Sequence, residues 1–378
     1  MNAVFTIGIF LAFFLSLLLA TKKNKNLSDI LLAIWLFIIG IHLTSYSIYS
    51  LGYWEKYPHL VGVTLPVPLL HGPMLFLYTL YSLRNDRKLR KQDYLHFAPA
   101  FLFYLYMCRF YFFYSAEQKI LVDKGLIDDF AIFSVVALIS FILSGLTYPV
   151  VSYIQLGKYK KLLDDNFSYD GRMSLEWLQN SILGVGLLYL VVAIISLLRE
   201  GIGLHFSFNA DYIIYSIIIL FVFSIGFFGI RQQHLFSANS TYEGDLIGQD
   251  KPAGDYKKSG LKPEVAKEIH QRLLNVMSQK KLYTNPQLTL SDLAQGIDVS
   301  VNHLSQVINQ YEKVNFHDFV NKYRIDEFIK NATRNKEFSL LAHAYDAGFN
   351  SKSSFNSVFK KHNGMTPSKY IAQLTRQT

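Results

Sequence analysis

The sequence predicts an all-α protein in two parts, a bundle of seven transmembrane helices followed by a cytoplasmic domain of short helices. Three observations predict it. Hydrophobic residues make up 51% of the 378 residues, more than an ordinary soluble domain carries, and they are concentrated in long runs before residue 230. Of the formal net charge of +9, +6 falls in residues 231–378. After residue 288, a pattern of two short helices joined by a tight turn occurs twice.

The membrane part is predicted from segment length. A hydrocarbon core of about 30 Å takes about 20 residues of helix. Seven apolar segments meet this requirement, at residues 3–20, 28–50, 60–82, 94–113, 130–156, 175–198 and 211–230. The first segment is expected to be retained and not cleaved as a signal peptide, because no positive charge precedes it and three lysines follow it directly.

Loop charge predicts the orientation by the positive-inside rule. With seven crossings, alternate loops share a side, and the loops of one side hold twelve Lys and Arg residues against four on the other. We therefore expect the N-terminus outside and the C-terminal part in the cytoplasm. This topology is that of a multi-pass membrane protein.

Two histidines lie inside the predicted spans, where a polar group is costly unless it is paired. His42 in the second span and His71 in the third are candidates for a membrane ligand site, and the alternative is that each hydrogen bonds to a neighbouring helix. No Asp or Glu lies deep in a span, which argues against a proton or cation transporter. Cys108 is the single cysteine, and HExxH, GxSxG and GxGxxG motifs are absent. The sequence therefore indicates no enzyme, no metal site and no cofactor.

The predicted domain boundaries follow the change in composition. Residues 1–230 form the membrane domain, and residues 231–262, rich in Gly, Ser, Asp and Lys, form a flexible cytoplasmic linker. Residues 263–378 form the last domain. It opens with a helix at residues 263–280, where apolar residues recur at helical spacing after Pro263.

The first helix pair lies in LTLSDLAQGIDVSVNHLSQVINQY. Ser291 is predicted to cap its first helix and Ser300 its second. The small Ala294 lets the helices approach, and Asp298 tolerates the left-handed conformation that a tight turn needs. These features predict a helix-turn-helix.

The second pair repeats the first with one residue added in the turn. Its residues Ala344, Gly348, Ser351, Phe355 and Phe359 correspond to Ala294, Asp298, Ser300, Leu304 and Ile308. One helix with four large apolar residues on a face is predicted between the copies, in FHDFVNKYRIDEFIKNA. At 1.5 Å a residue it makes a rod of about 25 Å, which could present two helices to successive major grooves about 34 Å apart.

Residues 283–374 resemble the DNA-binding domain of the AraC/XylS transcription regulators. The resemblance rests on LTLSDLA, VSVNHLSQVIN, NFHDFVNKYRI, AGFNSKSSFNSVFKK and GMTPSKY. It implies two helix-turn-helix units joined by a linker helix. The chain departs from the family at His343, where Ile is usual, and at Asp298, where Gly is frequent. The apolar front resembles a group of membrane-anchored members seen in bacteria, and this resemblance implies a location in the bacterial inner membrane.

The resemblance implies which residues read DNA. Base-reading positions fall on Asn302, Ser305, Gln306, Lys352, Ser353, Asn356 and Ser357. Asn and Gln side chains can pair with adenine and Lys with guanine in the major groove. Phosphate contacts are implied at Ser300, Ser351, Lys360, Lys361 and Lys369. Arg324 in the linker helix is expected either to contact phosphate or to pair with Asp326 or Glu327.

The expected partners are double-stranded DNA and RNA polymerase, together with membrane lipid, a second copy of the chain and an unidentified small-molecule or membrane signal. The sequence therefore favours a membrane-integral, sequence-specific transcription regulator. The alternative is a membrane receptor or transporter whose basic C-terminal module docks to lipid or protein. That alternative explains the charge but not the duplicated turn.

Overall fold

The structure, a computed structural model, describes residues 2–84, 88–168, 172–201, 203, 211–231 and 261–377. Nearly all of the predicted linker lies outside these residues. The described part of the chain is all-helical, and its sheet-like pairing is limited to one isolated bridge, between Phe167 and Thr289. The predicted all-α class is confirmed.

The residues described before position 232 form nine α-helices. They are α1 Asn2–Thr21, α2 Leu27–Ser50, α3 Tyr53–Lys56, α4 Pro68–Ser82, α5 Ala98–Phe113, α6 Ala116–Asp123, α7 Ala131–Asn166, α8 Arg172–Ser196 and α9 Asp211–Arg231. Seven more follow residue 262. They are α10 Pro263–Gln279, α11 Leu290–Gly296, α12 Val301–Val307, α13 Phe316–Arg334, α14 Leu340–Asp346, α15 Lys352–Asn363 and α16 Pro367–Gln377.

The chain divides into two compact units. One is Met1–Gly157 with Ser174–Gln249, and the other is Lys158–Met173 with Asp250–Thr378. The short segment Lys158–Met173, between two apolar helices in sequence, thus groups with the C-terminal residues. The predicted boundaries had placed this segment in the membrane domain, residues 1–230.

Four helices in the described residues are long and apolar enough to cross a membrane, and the predicted number of seven is wrong by this measure. The four are Ala3–Thr21, Leu27–Ser50, Ala131–Asn166 and Leu178–Arg199. The other predicted segments contain shorter helices: α4 has 15 residues, α5 has 16, and the apolar stretch found in α9 is Asp211–Ile225.

The shortening of α4 and α5 has a local cause. Residues 61–67 form turns, with Gly62 at a left-handed φ of +74°, and the regular helix begins only at Pro68, whose fixed φ suits a first turn. Before α5, Lys91–Phe97 winds as a 3₁₀ helix. An apolar run therefore overestimates the helix when turn residues lie inside it.

Close helix packing in the first unit depends on small residues. A Cβ at Gly40 of α2 would lie 2.8 Å from the Phe13 ring of α1, and one at Gly8 would lie 2.7 Å from Ile219 of α9. The Ser16 hydroxyl donates to the Ala33 carbonyl at 2.7 Å. Small residues at helix contacts are typical of membrane bundles.

Large apolar side chains cover the outside of the first unit. Phe113 is 81% exposed and Ile132 is 83% exposed, and many similar side chains on α1, α5 and α7 are also exposed. Soluble monomers rarely show apolar patches of this extent. Such a surface is typical of helices that face lipid.

The second unit has two hydrophobic cores that share α13. The first core contains Phe316, Phe319 and Val320 from the beginning of α13, packed with residues of α10, α11 and α12. The second contains Ile325, Phe328 and Ala332 from its end, packed with residues of α14 and α15. The predicted connecting helix is therefore confirmed, and each half of it carries one helix pair.

Candidate nucleic-acid interface

The first helix pair is α11 and α12. The N-cap of α11 is Thr289, whose hydroxyl accepts from the Asp292 amide at 3.1 Å while Asp292 accepts from the Thr289 amide at 3.0 Å. This reciprocal capping box shows that the prediction of Ser291 as the cap was wrong. The predicted cap of α12 is confirmed, since the Ser300 hydroxyl accepts from the His303 amide at 3.2 Å.

The second helix pair is α14 and α15. Ser351 caps α15 as predicted, accepting from the Ser354 amide at 3.1 Å. The turn before it contains Gly348 at φ +100°. A Cβ there would lie 2.3 Å from the Tyr283 carbonyl oxygen and 3.0 Å from Arg324 Nε. Gly348 is thus required both by its backbone conformation and by the close approach of the neighbouring backbone.

The two turns repeat at the level of backbone hydrogen bonds. In the first turn the Val299 amide donates to the Ala294 carbonyl at 3.1 Å, and in the second the Phe349 amide donates to Ala344 at 3.0 Å. Asp298 takes φ +55° where the second copy has Gly348. The predicted repeat is therefore a repeat of conformation as well as of residue type, and Asp298 fills the left-handed position without glycine.

The predicted base-reading residues differ in accessibility between the two helices. In α15, all four are exposed: Lys352, Ser353, Asn356 and Ser357. In α12, Asn302 is exposed, whereas Ser305 and Gln306 are half-buried. The Gln306 side-chain oxygen is buried with no hydrogen-bond partner among the described residues. α15 therefore presents the larger polar surface to a ligand.

The predicted phosphate contacts fall into two groups. Lys360 and Lys369 are exposed. Lys361 instead donates to both carboxylate oxygens of Asp318 in α13, each at 2.9 Å. The hydrogen bond from His317, together with this ion pair, holds the pKa of Asp318 well below its usual range. Lys361 thus ties α15 to the linker helix.

Arg324 does not pair with either acidic residue expected from the sequence. It is 1% exposed and donates to backbone carbonyls, with Nε 2.7 Å from Tyr283 O and Nη2 2.8 Å from Asn285 O. Burial lowers its pKa to about 10, so the guanidinium stays charged at neutral pH. Glu327 pairs with Lys281 at 2.6 Å. The expected pairing of Arg324 with Asp326 or Glu327 was wrong.

Ser168 is the contact of Arg324 that sequence reasoning missed. Arg324 Nη1 donates to the Ser168 carbonyl at 2.7 Å, and Nη2 donates to the Ser168 hydroxyl at 2.9 Å. Ser168 lies 156 positions earlier in the chain, so no local pattern could reveal the pair. The available signal was indirect: a charged residue on the apolar side of a helix needs a buried acceptor.

His343 occupies the position where the resembled family usually has Ile. The side chain is buried, and its Nε2 lies 2.8 Å from the Asn335 carbonyl, to which it donates. The imidazole therefore packs in the second core with its polar atom satisfied. This departure leaves the second helix pair intact.

His42 and His71, the predicted membrane site, lie side by side. His42 Nδ1 is 3.1 Å from His71 Nε2. The Trp35 indole donates to His71 Nδ1 at 3.2 Å, and the Tyr215 hydroxyl is 3.4 Å from His42 Nε2. These contacts agree with the alternative, in which each histidine hydrogen bonds to a neighbouring helix, and the membrane ligand site stays a prediction.

Two helix-turn-helix units on one connecting helix define a DNA-binding domain. Residues 293–373 match the family model described as a helix-turn-helix domain. The C-terminal part of the chain is an AraC-type helix-turn-helix domain, as the sequence predicted.

The relatives that match are transcription regulators by name. The melibiose operon regulatory protein of Escherichia coli is 29% identical over 93 residues, which cover 24% of this chain and 30% of the relative. The transcriptional regulatory protein HptR of Staphylococcus aureus is 30% identical over 98 residues, covering 26% and 38%. The chain thus spans only about a third of each relative. No solved structure matches it.

Proposed function

We propose that this chain is a membrane-integral, sequence-specific DNA-binding transcription regulator whose membrane unit receives a signal. The observation that carries the proposal is the conformational repeat: two capped helix pairs with matching turn hydrogen bonds on one 19-residue helix. A module that only docks to lipid or protein needs basic charge but not this repeat. The regulatory names of the relatives agree with a protein that is not an enzyme.

The proposed topology places the DNA-binding domain in the cytoplasm of a bacterium. The four long helices and α9, which has 21 residues, give an odd number of crossings. The shorter helices α4 and α5 are consecutive. If both cross the membrane they add two crossings, and if neither crosses they add none, so each terminus lies on the same side in both cases. The N-terminus then lies outside and the C-terminus inside, in agreement with the positive charge of the loops.

We assign base reading to the second helix of each pair, α12 and α15. Asn302 of α12 and Asn356 of α15 can each pair with adenine, and Lys352 can donate to guanine. Lys360, Lys369 and the helix N-termini at Ser300 and Ser351 would contact phosphate and supply the salt dependence. RNA polymerase, a second copy of the chain and anionic lipid remain proposed partners.

The test is selection of binding sites from a random duplex library by the full chain in nanodiscs. We expect a consensus of two half-sites. Asn302→Ala and Asn356→Ala should each relax the base preference at one position, at a cost of about 1–3 kcal/mol. Lys360→Ala should weaken binding to all sequences alike and reduce the salt slope by about 1. Gln373→Ala, exposed on α16 outside both helix pairs, is the control.

Two outcomes would contradict the proposal. Binding without sequence preference at any salt concentration, together with binding to anionic vesicles, would favour the docking module. Equal loss of preference in Gln373→Ala and Asn356→Ala would remove the assigned role of α15.

A further inference from the structure

The first unit contains a cavity of about 450 Å³ next to the histidine pair. Its lining includes Trp54 from α3, Asp123 from α6 and Asp211 at the start of α9. These residues lie in or beside the three loops that the charge pattern places outside the membrane. The cavity therefore belongs to the half of the unit from which an extracytoplasmic ligand would enter.

A chain of hydrogen bonds ends at this cavity. An indole N–H can only donate, so His71 Nδ1 is the acceptor for Trp35 and His71 Nε2 carries the proton. His71 then donates to His42 Nδ1, and His42 Nε2–H is directed at the Tyr215 hydroxyl. His42 and Tyr215 line the cavity, whereas Trp35 and His71 lie behind it. The histidines thus orient Tyr215 at the wall.

The charge of the lining is negative. Among the residues that the structure describes, it includes two carboxylates, Asp123 and Asp211, and no Lys or Arg. Both carboxylates line the cavity together with Tyr49, and both act electrostatically on the Tyr49 hydroxyl. Arg199 lies 3.8 Å from Asp211, but both side chains are partly exposed, so this pair neutralises the site weakly. A cation would therefore be favoured there.

Aromatic side chains form much of the remaining wall. Tyr46, Tyr49, Trp54 and Phe130 all line the cavity. The Trp54 indole nitrogen is buried without an acceptor among the described residues. Aromatic faces attract organic cations, most strongly when water is excluded, and they also accommodate apolar groups.

We propose that this cavity binds an organic cation with an apolar body, an amine or quaternary ammonium, whose charged group lies between Asp123 and Asp211. This inference rests on the proposed function, because it names the class of signal that the membrane unit would receive. The apolar body contacts the aromatic wall towards His42 and Tyr215. An anion of the same shape is repelled by the two carboxylates.

The test is a titration of the full chain in nanodiscs, with tryptophan fluorescence as the readout. The probes are 2-phenylethylammonium and benzyltrimethylammonium, with phenylacetate and 2-phenylethanol as the matched anion and neutral compound. We expect only the cations to bind with saturation. Asp123→Asn and Asp211→Asn should each weaken their binding roughly three- to fivefold. Asp128→Asn, an exposed carboxylate outside the lining, should have no effect.

The proposal is overturned if neither cation binds, if phenylacetate binds equally well, or if Asp128→Asn matches the two lining variants. DNA binding by the same preparation is measured without a probe. Cation binding without sequence-specific DNA binding would therefore contradict the proposed function and leave the ligand class intact.

A second and independent observation concerns Phe167 and Ser168, here called the docked segment. Both residues are buried within the second unit. The Ser168 amide donates to the Leu288 carbonyl at 3.2 Å, and its hydroxyl donates to the same oxygen at 2.7 Å. The segment follows α7 directly, so it is joined without a break to an apolar helix of 36 residues.

The docked segment completes the hydrogen bonding of Arg324. Two of its contacts are to Ser168 and two are to the carbonyls of Tyr283 and Asn285. Withdrawal of the segment would leave a buried guanidinium with donors unpaired, which is costly. The donors of Arg324 are therefore all paired only when the segment is seated.

From Arg324, further hydrogen bonds lead to α15. Arg324 Nη1 donates to Asn321 Oδ1 at 3.3 Å, and the Asn321 amide group donates to His317 Nε2 at 3.0 Å. His317 Nδ1 therefore carries a proton directed at Asp318 Oδ1, 3.4 Å away. Asp318 accepts from Lys361 of α15. One polar network thus joins Ser168 to the second recognition helix.

We propose that the docked segment is a positioning element for DNA binding, which holds α15 through the network from Arg324 to Lys361. A signal that moves α7 along its axis would withdraw Ser168 and loosen α15. Ser168 touches no DNA in this arrangement and acts only through Arg324. None of the hydrogen bonds of this network described above involves a residue of α12, so α12 is affected less.

Hydrogen exchange of the full chain in nanodiscs tests this proposal. Ser168→Ala removes one bond to Arg324 and should speed exchange roughly tenfold around residues 321–324, with a smaller increase in α15 and little change in α12. Ser168→Trp, which cannot be seated, should have a larger effect. Ser291→Trp, at an exposed position of α11, is the matched control.

A double-mutant cycle separates positioning from a merely structural role. The effect of Ser168→Ala on α15 should disappear in a Lys361→Ala background, while its effect around residue 324 persists. Exchange in α15 that is unchanged in both Ser168 variants would overturn the proposal. Equal acceleration in α12 and α15 would also overturn it, because the segment would then stabilise the whole unit without directing α15.

Discussion

Gly348→Ala probes the most crowded position in the second helix pair. The new Cβ would lie 2.3 Å from the Tyr283 carbonyl oxygen and 2.9 Å from Thr284 Cα, so the backbone of one segment has to move. The same Tyr283 oxygen accepts from Arg324 Nε at 2.7 Å. The substitution therefore combines strain at φ +100° with the loss of a hydrogen bond to a buried charge.

The magnitude follows from these two parts. A side chain in the left-handed region costs about 1–2 kcal/mol, and a hydrogen bond to a charged group contributes about 1.5–3 kcal/mol. We expect a total loss of roughly 3–5 kcal/mol, a large share of the stability of a small domain. Gly364→Ala is the matched control, since Gly364 has φ +72° with no atom within 4 Å of the added Cβ. Gly364→Ala should lower the stability only by the cost of placing a side chain in the left-handed region, about 1–2 kcal/mol.

Hydrogen exchange of α14 and α15 in the full chain measures the difference. Because 1.4 kcal/mol corresponds to a factor of ten, Gly348→Ala should exchange roughly ten to a hundred times faster than Gly364→Ala. Equal exchange rates in the two variants would show that Tyr283 and Arg324 can move away from the added Cβ without a loss of stability. The packing argument for the glycine would then be refuted.

Two further predictions concern capping and pH. Thr289→Ala should lower the free energy of unfolding of the second unit by about 1 kcal/mol, whereas Ser291→Ala should leave it unchanged. Calorimetry measures both. A larger loss in Ser291→Ala would show that Ser291 is the cap, as the sequence predicted. The pKa of Asp318 is depressed by the His317 hydrogen bond and the Lys361 ion pair, so this stabilisation is fully present above the unfolded value of about 3.9 and is lost as the pH falls through the lower folded value. Lys361→Ala should flatten the fall of Tm below pH 4, and an unchanged slope would contradict the role of the pair.

The sequence predicted the second unit well because its signals are local. The turn positions at Asp298 and Gly348, the caps at Ser300 and Ser351, and the helix containing Phe316 each depend on residues within a few positions of one another. Their periodicity and turn chemistry are visible in any window of the chain. The cap at Thr289 was missed because Ser291 offers the same chemistry two residues later.

The membrane helices were predicted less well because hydropathy does not measure helix length. Residues 60–67 are apolar enough to belong to a span, yet Gly62 and Pro66 favour turns. Breakers inside an apolar run are tolerated where neighbouring helices satisfy the backbone. Composition therefore located the helices at α4 and α5 but overestimated their extent.

The contacts most relevant to regulation could not be predicted, because they join residues far apart in sequence. Arg324 has acidic neighbours that suggest a local ion pair, but neither carboxylate pairs with it: Asp326 is exposed, and Glu327 binds Lys281 and the Tyr283 hydroxyl. A buried guanidinium instead requires carbonyl acceptors arranged in a plane around it, and the backbone near Tyr283 supplies only part of them. Ser168 supplies the rest. The hydrogen bonding of Arg324 is therefore completed by a residue that follows an apolar helix. Under the proposed function, this dependence would give a membrane signal a physical route to the second helix pair.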